Sequence, residues 1–220
     1  MPDCIICSQE TRIIHDKQYG QDYYYCPACE LISLDEHKRI SPKEERREYS
    51  FHQNSMENVG YVQRFRDFIK RAIHPHHAQI KTALDFGAGP EPVLAELLRQ
   101  EGFQVSFYDK FFAPDQAPLS KKYDLITITE VLEHLPNPLK TLRSLKELLN
   151  KNGIIAIMTL FHSNNEEEFQ QWWYRRDSTH ISFYTHKTIR KLAEILDLQA
   201  QIVDAKNICV LSLIDAINPS

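Results

Sequence analysis

Val62, Phe65, Phe68, Ile69 and Ala72 recur at helical spacing, which predicts a helix over residues 60–73, ahead of Pro75. Beyond it, short apolar runs alternate with helical patterns. The runs at 82–86, 104–108, 125–129 and 154–160 read as strands, and 93–100, 139–149 and 187–196 read as helices. Two more runs, 199–203 and 208–214, read as closing strands. This alternation predicts an α/β fold, a doubly wound and mainly parallel sheet covered by helices on both faces. Ligands on such sheets bind at the carboxyl ends of the strands. The first 37 residues follow a different pattern, with strand-like runs at 11–14 and 23–25 around turn residues 19–22.

Composition narrows the class. The 220 residues are 42% hydrophobic and 25% charged, which is ordinary for a globular chain. The longest apolar run, 154–161, falls far short of the roughly 18 residues that a membrane-spanning helix needs. The N-terminus lacks a basic stretch followed by an apolar one, so no secretory signal is expected and the cytoplasm is the expected compartment. A formal net charge of −4 offers no global field for a polyanion, so a nucleic-acid partner is not expected.

The spacing of the cysteines says more than their number. Cys4, Cys7, Cys26 and Cys29 form two CxxC pairs separated by eighteen residues, the pattern of a four-thiolate zinc site. Two intervening residues let one tight turn aim both sulfurs at a single ion, and two such turns complete a tetrahedron. Free thiols or a redox dithiol are the competing readings. Four thiolates fill the coordination sphere, so the expected zinc is structural and the expected module, residues 1–37, is a zinc ribbon. So few residues bury little core, and the metal is expected to supply most of the module's folding free energy. The ribbon holds two basic against seven acidic side chains, a charge of −5 that disfavours phosphate binding and favours a structural or substrate-covering role. The fifth cysteine, Cys209, lies in an apolar strand and reads as a small core residue.

Residues 38–59 read as a linker or lid. Their first part is highly charged, and the second holds His52, Asn54 and Asn58. The domain proper is expected over 60–220.

The first strand of this domain runs into Leu84-Asp85-Phe86-Gly87-Ala88-Gly89-Pro90 just before a helix. Gly87 and Gly89 permit a tight turn and close approach of a ligand. A GxGxxG dinucleotide fingerprint requires glycine at position 92, where the chain has Pro92, which argues against NAD. Asp109 follows the second strand about twenty residues later, where a carboxylate can accept hydrogen bonds from both ribose hydroxyls of a nucleoside. A surface-capping aspartate is the alternative.

These residues, with Tyr108-Asp109 and the segment DLITITEVLEHLPNP at 124–138, resemble the class I S-adenosylmethionine-dependent methyltransferases. The last segment is similar to the fourth-strand motif of small-molecule methyltransferases, including quinone-pathway O-methyltransferases. The resemblance spans about 61–214 and leaves the ribbon uncovered. It implies a Rossmann-like methyltransferase sheet and S-adenosylmethionine as cofactor. Asp85, Gly87 and Gly89, with Phe86 and Ala88 in the same turn, would border its methionine end. Asp109 would hold the ribose with Lys110 beside it, Glu130 would lie next to the cofactor, and His134 would sit at the lip. Only fourteen residues separate Asp109 from Asp124, too few for a strand of about 5 residues and a helix of about 10. The family's third strand and its helix are therefore expected to be missing or vestigial, with the adenine pocket improvised from Phe111 and Phe112.

Residues 161–185 leave the carboxyl end of a strand and are expected to overhang the acceptor site. Their THISFYT stretch resembles the segment in which quinone-type methyltransferases present a histidine to substrate. A hydroxyl acceptor needs a base as the methyl arrives, and neutral imidazole suits that task. His180 is the first candidate and His52 the second. Trp172, Trp173 and Tyr174 are candidates for an acceptor wall, and Arg175 and Arg176 for a carboxylate or phosphate clamp. The expected function is methyl transfer to an O or N atom of a small molecule. The alternatives are a zinc-ribbon RNA methyltransferase and a noncatalytic nucleoside-binding scaffold.

Overall fold

In the computed structural model, residues 1–16, 18–51 and 54–214 are described. His52, the second candidate base, lies outside them. Two sheets organise the chain. The larger contains β4 (Thr82–Phe86), β5 (Gln104–Tyr108), β6 (Tyr123–Thr129), β7 (Leu149–Met158), β9 (Leu198–Ile202) and β10 (Ile208–Leu213) in the order β5-β4-β6-β7-β10-β9. The β4–β5, β4–β6 and β6–β7 pairs are parallel, and β10 runs antiparallel to both of its neighbours. The expected mainly parallel sheet is present. Between β5 and β6 stands only a short 3-10 turn, Ala117–Ser120, so β5 is an edge strand and the third strand of the wound pattern is missing.

Alternation along the central strands divides the core into two layers. Ile155, Ile157, Cys209 and Leu211 face one side, packing with Leu142 and Leu145 of α4 (Pro138–Lys146) and Ile189 and Leu192 of α6 (His186–Ile195). Ile154, Ala156, Ile208 and Val210 face the other, against Phe65 and Phe68 of α2 (Val59–Phe68) and Leu94, Leu97 and Leu98 of α3 (Val93–Gln100). Past α2, a π-type turn continues the helix through Ile69–Ile73. No helix among the described residues is long and apolar enough to cross a membrane.

The second sheet is β1 (Arg12–Asp16), β2 (Gln21–Tyr25), β3 (Ile32–Leu34) and β8 (Ser182–Phe183), all antiparallel. Its fourth strand comes from the C-terminal part of the chain, two residues after His180. Ile14, Tyr23, Ile32 and Leu34 pack there with Phe169, Tyr174, Ile181 and Phe183. Phe169 belongs to α5 (Glu166–Gln171). The charged stretch after the hairpins forms α1 (Pro42–Ser50), started by a capping box between Ser41 and Glu44.

Candidate functional site

Two knuckles bring the N-terminal cysteines together. In each, the residue after the second cysteine is left-handed, Ser8 at φ 55° and Glu30 at φ 66°. Its amide donates to the carbonyl of the first cysteine, Ser8 to Cys4 at 3.0 Å and Glu30 to Cys26 at 2.7 Å. The Cys4–Cys29 and Cys7–Cys26 sulfurs are 3.5 Å apart, and all four lie within 4.8 Å of one another. That is far beyond a disulfide bond of about 2.05 Å. It matches the edge of about 3.8 Å that zinc–sulfur bonds of about 2.3 Å give a tetrahedron. The donor set therefore fits a four-thiolate metal site with no open position.

The second centre lies at the carboxyl edge of the large sheet, around a cavity of about 480 Å³. One end is the turn that follows β4. Gly87 and Gly89 adopt φ 82° and 70°, and the amides of Gly87 and Ala88 both donate to the Tyr108 carbonyl, tying the turn to the end of β5. Asp109 is buried beside it. Its Oδ2 accepts from the Gly89 amide at 3.0 Å, and its Oδ1 accepts from the amides of Phe111 at 2.8 Å and Phe112 at 3.0 Å. One carboxylate thus shapes both the glycine turn and the loop after β5. Phe86 and Tyr108 stack at 5.4 Å, and Lys110 pairs with Glu45 at 2.7 Å.

The other end is polar and desolvated. Glu130, left-handed at φ 54°, closes β6 and has Arg64 at 3.8 Å. Burial, reinforced by the neighbouring Glu133 and opposed by Arg64, pushes its carboxyl up to about 8. Glu133 is fully buried and accepts from Tyr174 Oη, and burial raises it as well. His180 Nδ1 donates to the Tyr174 carbonyl at 2.7 Å, and His134 Nδ1 donates to the Thr179 carbonyl at 2.9 Å. These bonds select the tautomer in which each Nε2 is left as an acceptor. Burial first, and His134 second, hold His180 below its ordinary value, so its ring is neutral near pH 7. The two rings are 4.7 Å apart.

The cavity lining brings together Phe86, Gly87, Ala88, Gly89, Asp109, Lys110, Phe111, Phe112, Glu130, His134 and His180, as well as Trp173 and Tyr174. Asp85 stands apart. It is buried behind the turn, accepts from Thr127 Oγ1 at 2.8 Å, and is pushed up to about 6 by burial. Arg175 is not available as a clamp, because its side chain is buried in an ion pair with Asp16, and Arg176 is exposed outside the lining. Sequence reasoning missed Tyr49, Arg64, Glu133 and Asp177. Tyr49 carried a usable signal, an i,i+4 relation to Glu45 on a helix opened by Ser-x-x-Glu, and its hydroxyl donates to Glu45 at 2.8 Å.

A family model described as "Methyltransferase domain" matches residues 35–201. The chain belongs to this methyltransferase family. Curated relatives of the methyltransferase include the ubiquinone biosynthesis O-methyltransferase of Histophilus somni, 30% identical over 97 residues, 42% of this chain and 39% of that protein. The protein of the same name from Escherichia coli O127:H6 is 30% identical over 79 residues, 36% of this chain and 33% of that protein. The chain thus aligns with well under half the length of these relatives. Among solved structures, the 1,6-didemethyltoxoflavin-N1-methyltransferase of Burkholderia thailandensis, with S-adenosylhomocysteine bound, superposes with a TM-score of 0.54 at 16% identity. That match covers 92% of this chain and 97% of the other. A SAM-dependent methyltransferase from Archaeoglobus fulgidus gives 0.51 at 21% identity, covering 67% and 71%. These likenesses show that the methyltransferase shares their fold.

Proposed function

We propose that this protein transfers the methyl group of S-adenosylmethionine to an oxygen or nitrogen atom of a small molecule. One observation carries the reading: a single cavity of about 480 Å³ joins the glycine turn and Asp109 at one end to His134 and His180 at the other. When bound, S-adenosylmethionine supplies an electrophilic methyl carbon, and the rest is alignment and proton handling by the chain. Gly87, Ala88 and Gly89, with Phe86, border the methionine end. Asp109 uses its remaining acceptor capacity for the ribose, while Lys110, Phe111 and Phe112 flank the adenosine. Glu130 lies beside the donor, and Arg64 offsets its charge when it ionises.

On the acceptor side, His180 is the base. Its Nδ1 is committed to the Tyr174 carbonyl, so Nε2 receives the proton of a hydroxyl or amine as the methyl is transferred. Trp173 and Tyr174 form the acceptor wall. The names of the curated relatives support an oxygen acceptor, and that of the 1,6-didemethyltoxoflavin-N1-methyltransferase supports a nitrogen. The N-terminal module, 1–37, carries a structural zinc on Cys4, Cys7, Cys26 and Cys29.

Transfer of a radiolabelled methyl group from S-adenosylmethionine to a panel of phenols, catechols and heterocyclic amines tests the reading. Label in an extractable product that depends on His180 supports it. Stoichiometric donor binding with no labelled product across the panel replaces it with the noncatalytic scaffold.

A further inference from the structure

The acceptor wall is held from outside the methyltransferase sheet. Arg175 follows Tyr174 directly, and its side chain is 1% exposed, against 2% for that of its partner Asp16 at the end of β1. Its Nη1 donates to Asp16 Oδ2 at 2.5 Å, and its Nε is shared between the carbonyls of Phe169 and Gln170, each at 2.9 Å. The second Asp16 oxygen accepts from the amide of Gln18 at 2.9 Å. A planar fork of five donors suits this set, and the point charge of a lysine ammonium does not.

From Arg175 the constraint reaches the site within one residue. Tyr174 donates its hydroxyl to Glu133 and receives the His180 Nδ1–H on its carbonyl. The other end of the segment is tied to the same N-terminal sheet. β3 pairs with β8 through Ile32–Phe183 and Ser33–Ser182, the Leu34 amide donates to the Ile181 carbonyl, and the Ile181 amide donates to the Glu133 carbonyl. The cysteine knuckle docks against the start of α6 as well, where Thr188 Oγ1 donates to the Cys29 carbonyl at 2.8 Å and Thr185 Oγ1 to Glu30 at 2.9 Å. Among the described residues, none of the bonds that shape the donor turn at Gly87, Gly89 and Asp109 reaches the N-terminal module.

We infer that Arg175 is the positioning residue through which the N-terminal cysteine module fixes the acceptor wall and His180, leaving the donor end of the cavity independent of the metal. The donor and acceptor labels rest on the function proposed above; the mechanical link does not. Loss of the metal by chelation then disables acceptor alignment and spares donor binding.

The chain contains two tryptophans. Trp173 lines the cavity, and Trp172, a wall candidate by sequence, lies outside the lining and packs behind the wall. Trp172 packs 4.9 Å from Tyr174 and 6.1 Å from Phe183 of β8, so intrinsic emission reports the wall without a known acceptor. The full chain is stripped with a chelator and a thiol-blocking mercurial, and metal, far-UV dichroism, tryptophan emission, acrylamide quenching and S-adenosylhomocysteine affinity are followed. The expected result is red-shifted emission and stronger quenching, with the helical dichroism retained and affinity within about twofold of the metal-loaded protein. Metal-loaded Arg175→Lys should show an emission change of the same sign, retain its metal, unfold at a lower temperature because buried acceptors lose their donors, and respond less than wild type to stripping.

Unchanged emission after complete stripping overturns the link, as does an Arg175→Lys protein that emits and responds like wild type. Parallel loss of nucleoside affinity and emission overturns the separation of the two ends. If Arg175→Lys does not fold, Asp16→Asn, which keeps the side-chain shape and removes the charge, is read by the same criteria. If no form binds S-adenosylhomocysteine, the proposed function fails, and emission still decides the mechanical link.

Discussion

The donor turn makes a paired prediction, because its two glycines differ in what surrounds them. A Cβ on Gly87 would fall 2.3 Å from Val131 Cγ2, 3.1 Å from Cγ1 and 3.3 Å from Cβ, so rotating the valine cannot clear it. The φ of 82° adds the left-handed cost of about 1–2 kcal/mol, and overpacking adds roughly 1–3 kcal/mol. Gly87→Ala should therefore lose about 2–5 kcal/mol of stability, summing those two contributions. A Cβ on Gly89 meets nothing within 4 Å, and Gly89 lines the cavity. Gly89→Ala should lose only the backbone cost, about 1–2 kcal/mol, while placing a methyl group where the donor binds. Urea unfolding of both variants and calorimetric titration with S-adenosylhomocysteine separate the effects. The expected pattern is a large midpoint shift for position 87 and a small one, with at least about tenfold weaker binding, for position 89. Equal stabilities refute the packing argument. Full affinity in a folded Gly89→Ala protein refutes the role of the turn.

Three further outcomes follow from the same geometry. The Glu130 carboxyl is raised from 4.5 to about 8, so its contribution to stability is full below about pH 4.5 and is lost as pH rises through about 8. The loss is a few kcal/mol at about 1.4 per unit. Urea unfolding at pH 5 and pH 8 should show this decline in wild type and a smaller one in Glu130→Gln; equal declines would remove Glu130 as its source. His180→Ala should slow turnover by about 10²–10⁴-fold with donor affinity retained, and unchanged kcat on any accepted substrate would eliminate it as the base. Cys26→Ser should abolish stoichiometric metal, measured by elemental analysis. A metal-free wild-type protein with normal thermal stability would overturn the four-thiolate centre.

Legibility in the sequence followed the range of the forces involved. β4, α3 and β5 have the bounds that periodicity predicts, because their apolar faces and flanking glycines are local signals. The missing third strand was legible as arithmetic, since fourteen residues cannot hold a strand and a helix. β3 and β8 escaped notice for the opposite reason. They are three and two residues long, and they pair between Ile32 and Phe183 across most of the chain, which no local pattern encodes. Arg175 was misread for the same cause: a guanidinium beside two aromatics looks like a surface clamp until Asp16 arrives from the N-terminus. At the site, the glycine turn and Asp109 were readable as spacing, whereas Glu130 and His134 came only through the family resemblance of the segment 124–138. Tyr49 and Arg64 reach the cavity from helices outside that spacing; the capping box and the i,i+4 relation to Glu45 signal the helix that carries Tyr49, but only the packing of α1 and α2 shows that either side chain reaches the cavity.

The central claim is that the carboxyl edge of the wound sheet binds S-adenosylmethionine through the glycine turn and Asp109. Isothermal titration calorimetry of the full chain with S-adenosylmethionine tests it most directly. One site per chain, weakened by about tenfold or more in Asp109→Ala with the fold intact, is the predicted result. No heat of binding to well-folded wild-type protein, or equal affinity in the variant, would contradict it.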